Sequence, residues 1–170
     1  MVRTVGLWLL LALLLSACRP VQALSVTQTT ATDSAETSLE QANKAVVQRF
    51  YDEVVNQKHM NFMEEAFDPQ EVTHDLGPAP DVGMLFAGIP DLHVTVDHWI
   101  LDGDMVTSIV TFSGTHQAEM MGVAPTNKPV TWTHIDVHRV KNGKIVEAWH
   151  NIPMSDILQQ IGYQPVAPAQ

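Results

Sequence analysis

Trp132, His134, Asp136 and His138 alternate along the β-rich run Val130–Val140, which places all four on one face of a strand. Three titratable groups in a row are an unusual use of a strand face that must be at least half buried. Histidine titrates near neutral pH, and a neighbouring carboxylate orients its ring and stabilises its charged form. Such a pair suits proton transfer. Imidazole and carboxylate would also suit zinc or a non-haem iron, but strict alternation generates such triples by chance, and no metal is expected here.

A fourth group depends on the hairpin. Lys141-Asn142-Gly143 separates Val130–Val140 from the run Lys144–Asn151, and Asn-Gly is a strong hairpin signal. With a three-residue loop, Val140 pairs with Lys144, His138 with Val146, Asp136 with Ala148 and His134 with His150, and His150 joins the polar face. With a two-residue turn, His150 falls on the opposite face beside Ile135 and Val137. The first register is favoured, because a histidine among aliphatic neighbours is unfavourable unless paired. It also leaves Trp149, Ile135 and Val137 as an apolar outer face, suited to a homodimer.

The elements that must position these groups follow from periodicity. Ser38-Leu39-Glu40-Gln41 fits a capping box, and Ala42, Val46, Phe50 and Val54 form an apolar stripe, so a helix is expected from Leu39 to Gln57. Asn61 can cap a short second helix carrying Phe62, Met63, Ala66 and Phe67, ended by Pro69. Glu71–Asp75 reads as a short extended piece and Val82–Ala87 as a turn or two of helix. After Pro90 the period changes to two: Leu92–Leu101 alternates, Asp102-Gly103-Asp104 turns the chain, and Met105–Thr115 follows. Ser155 can cap a last helix ending at Gly162. Helices first and then a run of strands indicate an α+β domain, with helices on one face of a curved antiparallel sheet.

The chain has 170 residues, 45% of them hydrophobic, with 9 Lys+Arg against 19 Asp+Glu and one Cys. That fits one domain with flanking segments. A single cysteine excludes an internal disulfide framework and a cysteine-based zinc site. With a net charge of −10 and no basic block, nucleic acid is not an expected partner. Residues 1–24 read as a signal peptide: Arg3 precedes the apolar run Val5–Leu15, which is too short for a comfortable membrane span. Leu15-Ser16-Ala17-Cys18 resembles the lipobox of bacterial lipoproteins, which implies lipidation at Cys18 and a membrane anchor; Arg19 in the next position implies the outer membrane, facing the periplasm. Cleavage after Ala23, giving a secreted or periplasmic protein, is the alternative. Residues 25–37 read as a flexible tether, 38–163 as the folded domain and 164–170 as a disordered tail.

Several segments in order carry a family resemblance: Asn43-Lys44 and Arg49-Phe50-Tyr51, Thr73-His74-Asp75, Ile89-Pro90-Asp91-Leu92, Gly114-Thr115-His116, Met121–Thr126, Ile135-Asp136-Val137 and Asn142–Trp149. Together they resemble the SnoaL-like polyketide cyclase (ester cyclase) family. The resemblance implies the NTF2-like fold, a cone of helices and a strongly bent sheet around one pocket. It also implies a function: cofactor-free acid/base chemistry on a small carbonyl compound, as in a cyclase, isomerase or lyase. Binding of a small apolar ligand without catalysis is the alternative. The family's aldol-type cyclases carry an Asp general acid/base where His150 stands, and Gln and His where His134 and Asp136 stand, so the resemblance points to His150, Asp136 and His134 as the catalytic set while changing every member of it. His74, Trp132, His138 and Tyr51 are expected to contact the ligand, His74 at the pocket mouth, Trp132 as a wall and Tyr51 through its hydroxyl. Core packing is the other reading of Trp132 and Tyr51. His116 is expected to be structural. His59, His93 and His98 form no constellation. The segment between His74 and Pro90 is shorter than the family's, which implies a reduced third helix and a more open mouth.

Overall fold

The computed structural model describes residues 26–75 and 82–163. The expected signal segment, Cys18 and the expected tail at 164–170 lie outside the described residues.

Helix α1 spans Val26–Phe50 and continues as a π-helical turn over Tyr51–Asn56. Its apolar stripe buries Val47, Phe50, Tyr51, Val54 and Val55. The expected start at Leu39 is corrected: the chain is helical from Val26, across the segment read as a tether, and Ser38 lies inside the helix. The physical reason is the absence of any Pro or Gly between Val26 and Phe50, so no residue there breaks the i→i−4 ladder. Asn43 and Glu40 pin α1 to the turn between the second and third strands: the Asn43 amide donates to the Gly103 carbonyl at 3.1 Å, and Glu40 accepts from the Gly103 amide at 3.1 Å.

A 3-10 turn at Met60–Phe62 leads into α2, Met63–Ala66. The expected helix through Phe67 stops sooner, because Phe67 opens strand β1, Phe67–Asp75, with Pro69 inside it. Proline is tolerated there because β1 is an edge strand. Helix α3 covers Val82–Gly88, and β2 (His93–Asp102), β3 (Met105–Thr115), β4 (Pro129–Lys141) and β5 (Lys144–His150) follow. Helix α4, Met154–Ile161, buries Met154, Ile157 and Ile161 and ends on the left-handed Gly162. Pro153, and not Ser155, occupies its N-cap position.

The sheet order is β1-β5-β4-β3-β2. The expected all-antiparallel sheet is corrected to a mixed one: β2 to β5 pair antiparallel, whereas β1 runs parallel to β5. Only strands joined by tight turns are forced antiparallel; β1 enters from the helices and meets the sheet at its far edge. The α+β character, with helices on a curled sheet, stands.

The β4–β5 hairpin departs from both registers read from sequence. The turn has two residues, Asn142 at φ 53° and Gly143 at φ 75°, and Lys141 pairs with Lys144. Val140 pairs with Ile145, but Arg139 pairs with Glu147, so Val146 is an extra residue in β5. This bulge shifts every later pair by one. Asp136, and not His134, lies opposite His150. A two-residue turn alone would have turned His150 outward; the bulge turns it back in.

Helix α3 and the loop after it are seated by a close approach. A Cβ on Gly114 of β3 would stand 2.3 Å from Ile89 Cγ2. Gly114→Ala is therefore expected to destabilise the domain by about 1–3 kcal/mol through overpacking, read as a lower urea midpoint at unchanged m-value; an unchanged midpoint would show that Ile89 is not held against the sheet.

Candidate active site

One rung across the sheet carries the site. Trp99 of β2, Ser108 of β3, Asp136 of β4 and His150 of β5 are successive cross-strand partners. Above this rung is a cavity of about 490 Å³. The α1 helix and its π-turn supply Phe50, Tyr51 and Val55 to its lining, α3 and the following loop supply Leu85, Phe86 and Leu92, and the sheet supplies Phe112 and Trp132. β1 contributes Phe67, Asp68, Glu71 and Thr73 at one side. His134, Asp136 and His150 form its polar end.

Phe112 stacks on Trp132 at 5.2 Å and 9°, and on His134 at 5.1 Å and 25°, so the wall beside the polar end is a set of stacked rings. Trp132 thus lines the cavity as part of this wall.

The carboxylate of Asp136 organises the polar end. One oxygen, Oδ1, lies 2.9 Å from His150 Nδ1 and 3.0 Å from His134 Nε2. The other, Oδ2, accepts from the Tyr51 hydroxyl at 2.8 Å. Burial alone would push the Asp136 carboxyl up, but the hydrogen bonds from His134 and His150 outweigh it and hold the group well below the usual carboxylate range. An ionised carboxylate only accepts, so both imidazoles and Tyr51 must donate to it. Burial, reinforced by the Asp136 charge, pushes the Tyr51 hydroxyl well above its ordinary value, so it keeps its proton. Tyr51 has one hydrogen and gives it to Asp136. The 2.7 Å contact with Ser108 is therefore Ser108 Oγ–H donating to Tyr51 Oη.

The three members differ in access. The side chains of His134 and Asp136 are 3% and 5% exposed, whereas that of His150 is 23% exposed. With Nδ1–H committed to Asp136, the lone pair of neutral His150 is on Nε2. The arrangement can accept a proton at His150, stabilise the resulting imidazolium through Asp136, and return the proton.

Two expected ligand contacts are corrected. His138 is fully buried and does not line the cavity; it packs edge-on against His150 at 5.7 Å and against Tyr51 at 6.2 Å. Burial, with His150 adding and Asp136 opposing, pushes its imidazole down to about 4. Neither ring nitrogen has a hydrogen-bond partner among the described residues. It is a neutral core residue behind the site. His74 is on the outer face, stacked on Trp149 at 4.8 Å and 12°. Since Glu71 and Thr73 face the cavity, alternation sends Val72 and His74 outward. Tyr51 does bring its hydroxyl to the site, though to Asp136. His116 is buried in the loop after β3, its Nδ1 3.0 Å from the Thr126 hydroxyl, and it is not part of the cavity lining. No group of His, Cys, Asp and Glu among the described residues is arranged to hold a metal ion.

Ser108, Glu71 and Asp68 went unread in the sequence. Ser108 had a signal: it interrupts the inward-facing series Val106, Val110, Phe112 of β3. The two acids had none, because the phase of β1 depends on its parallel partner.

A family model for the SnoaL-like polyketide cyclases matches residues 45–161. No curated protein sequence matches. Among solved structures, IdmH from Streptomyces antibioticus, described as a candidate polyketide cyclase, is 28% identical over 71% of this chain and 99% of its own, with a TM-score of 0.63. AclR from Streptomyces galilaeus, described as a candidate hydroxylase, is 26% identical over 76% and 86%, with a TM-score of 0.65. A SnoaL-like protein from Jannaschia sp. CCS1, 20% identical over 75% and 96% with a TM-score of 0.66, shares the fold.

The position of His138 makes stability depend on pH. The unfolded chain takes up a proton at this residue below about 6.5, the folded protein only near 4. The unfolded state therefore binds the extra proton between those values, and stability falls as pH falls through that window. The contribution is about 3 kcal/mol across it. His138→Met is expected to remove that slope, measured by urea unfolding at pH 6.5 and pH 4; an identical slope in the variant would contradict the neutral, buried assignment.

Proposed function

Since the chain belongs to the SnoaL-like polyketide cyclase family, we propose that it binds a small, mainly apolar carbonyl compound in this cavity and moves a proton on it with its own side chains, as a cyclase, isomerase or lyase. The observation that carries this reading is the buried Asp136 carboxylate bonded to the more accessible His150 at 2.9 Å on the floor of an aromatic-lined cavity. IdmH, described as a candidate polyketide cyclase, supports the reaction class by likeness.

In the proposed cycle, neutral His150 holds Nδ1–H on Asp136 and directs the Nε2 lone pair at a proton on carbon next to the carbonyl. The C–H electron pair becomes the enolate, and the proton passes to Nε2. Asp136 stabilises the imidazolium; Tyr51 and His134 keep the carboxylate ionised and oriented. The enolate carbon attacks an acceptor carbonyl or is reprotonated, and His150 returns its proton to the developing alkoxide or to carbon. The aromatic walls position the substrate and exclude water.

We also place the protein in the cell envelope. The apolar run Val5–Leu15 closed by Leu15-Ser16-Ala17-Cys18 supports lipidation at Cys18 and an outer-membrane lipoprotein facing the periplasm. The exposed Ile135 beside Trp149 and Val137 on the outer sheet face supports a homodimer through that face.

A neutral flat ketone such as 1-tetralone serves as probe for the chemistry. Exchange of its α-protons in D2O, followed by NMR, is expected to be catalysed by the protein and to slow about 10²–10⁴-fold in His150→Gln and Asp136→Asn, while ligand affinity by calorimetry stays within a few-fold. Equal exchange rates in the variants would leave binding without catalysis. For location, Cys18→Ala is expected to move the protein from the membrane to the soluble envelope fraction; retention in the membrane would sink the lipid anchor.

A further inference from the structure

Ser108 stands at the head of a directed chain of donors that ends on Asp136. Its side chain is fully buried and sits on the same rung as Asp136 and His150. Because Asp136 can only accept, the hydrogens run one way: Ser108 Oγ–H to Tyr51 Oη at 2.7 Å, then Tyr51 Oη–H to Asp136 Oδ2 at 2.8 Å. The opposite oxygen, Oδ1, takes both imidazoles. The carboxylate is thus shared between a hydroxyl chain from α1 and β3 and the imidazoles of β4 and β5.

We propose that Ser108 and Tyr51 are positioning residues that set the strength of His150 as a base through Asp136, with Ser108 acting only through Tyr51. The proposal rests on the reading of His150 as the proton carrier. Each hydrogen bond to Oδ2 draws charge away from Oδ1, and a donor that itself accepts a hydrogen bond is a stronger donor. With the chain intact, Asp136 orients His150 without binding its imidazolium so tightly that the proton cannot be returned. Among the described side chains, the charged and titratable groups around His150 are Asp136, His134 and His138 on β4 and Tyr51 at the end of α1, with Asp68 and Glu71 of β1 along the cavity lining, and Asp75 of β1 is the register partner of His150 in the parallel pair. Among the described residues, Tyr51 and the imidazoles of His134 and His150 are bonded to the Asp136 carboxylate, and Tyr51 is the one linked to Ser108 through its hydroxyl.

The test uses the titration of His150, followed by ¹⁵N NMR of the imidazoles in the folded protein, with the signal assigned by its loss in His150→Gln. It requires no substrate, so it stands or falls separately from catalysis. Tyr51→Phe is expected to raise the His150 midpoint by about one pH unit, as the loss of one hydrogen bond to a charged group would. Ser108→Ala is expected to raise it by less. The double variant is expected to match Tyr51→Phe alone, because the Ser108 hydroxyl is bonded to Tyr51. An unmoved midpoint in Tyr51→Phe overturns the proposal, as does a Ser108→Ala shift that persists in full on the Tyr51→Phe background. Should Tyr51→Phe fail to fold, Ser108→Ala decides alone: a raised midpoint supports the chain, and an unchanged one overturns it.

Discussion

A carboxylate kept ionised out of water is the constraint that the rest of this molecule satisfies. Asp136 can hold its charge at 5% side-chain exposure only because three donors reach it. They come from three separate elements: the end of α1 through Tyr51, β4 itself through His134, and β5 through His150. Docking of the first helix, the twist of β4 and the register of the last strand are therefore tied to one group. The rest of the lining is mostly apolar and aromatic, with Asp68, Glu71 and Thr73 of β1 at one side.

The hairpin shows how narrowly that tie is met. Asn142-Gly143 adopts a two-residue turn, not the three-residue loop favoured from the sequence, and this turn by itself sends His150 to the wrong face. A single extra residue, Val146, corrects the phase. Local turn preference and the demand of the site conflict, and the strand resolves the conflict at the cost of one irregular pair. A bulge beside a functional group is a common way to re-aim a side chain.

Much of this was legible beforehand. The alternation Trp132, His134, Asp136, His138 fixed which side chains of β4 look inward, and the apolar stripe around Phe50 and Val54 fixed the face that α1 buries. The pairing of His150 was right in its face and wrong in its partner, because a bulge leaves no mark in composition or period. Neither did parallel pairing of β1, on which the outward placement of His74 depends; Thr73-His74-Asp75 looked like a pocket segment because its motif is shared with the family. His138 obeyed alternation and still missed the cavity, since an inward-facing residue near the hairpin end meets α1 and not open space. Ser108 could have been read, as the one hydroxyl in an inward series of aliphatic and aromatic residues on β3.

The family supplies the fold, and in this chain His134, Asp136 and His150 build the polar end of the cavity between helices and sheet. Where the resemblance implies an aspartate as general acid/base, an imidazole stands, and the carboxylate has moved to the neighbouring strand as its partner. In the proposed reading, the exchange keeps the ability to take and return a proton while changing which group is basic. The tautomer of His150 in the neutral protein tests this most directly, by ¹⁵N chemical shifts of its two ring nitrogens. A protonated Nδ1 and a lone pair on Nε2 are expected; a proton on Nε2, with Nδ1 bare beside Asp136, would contradict the role assigned to the carboxylate.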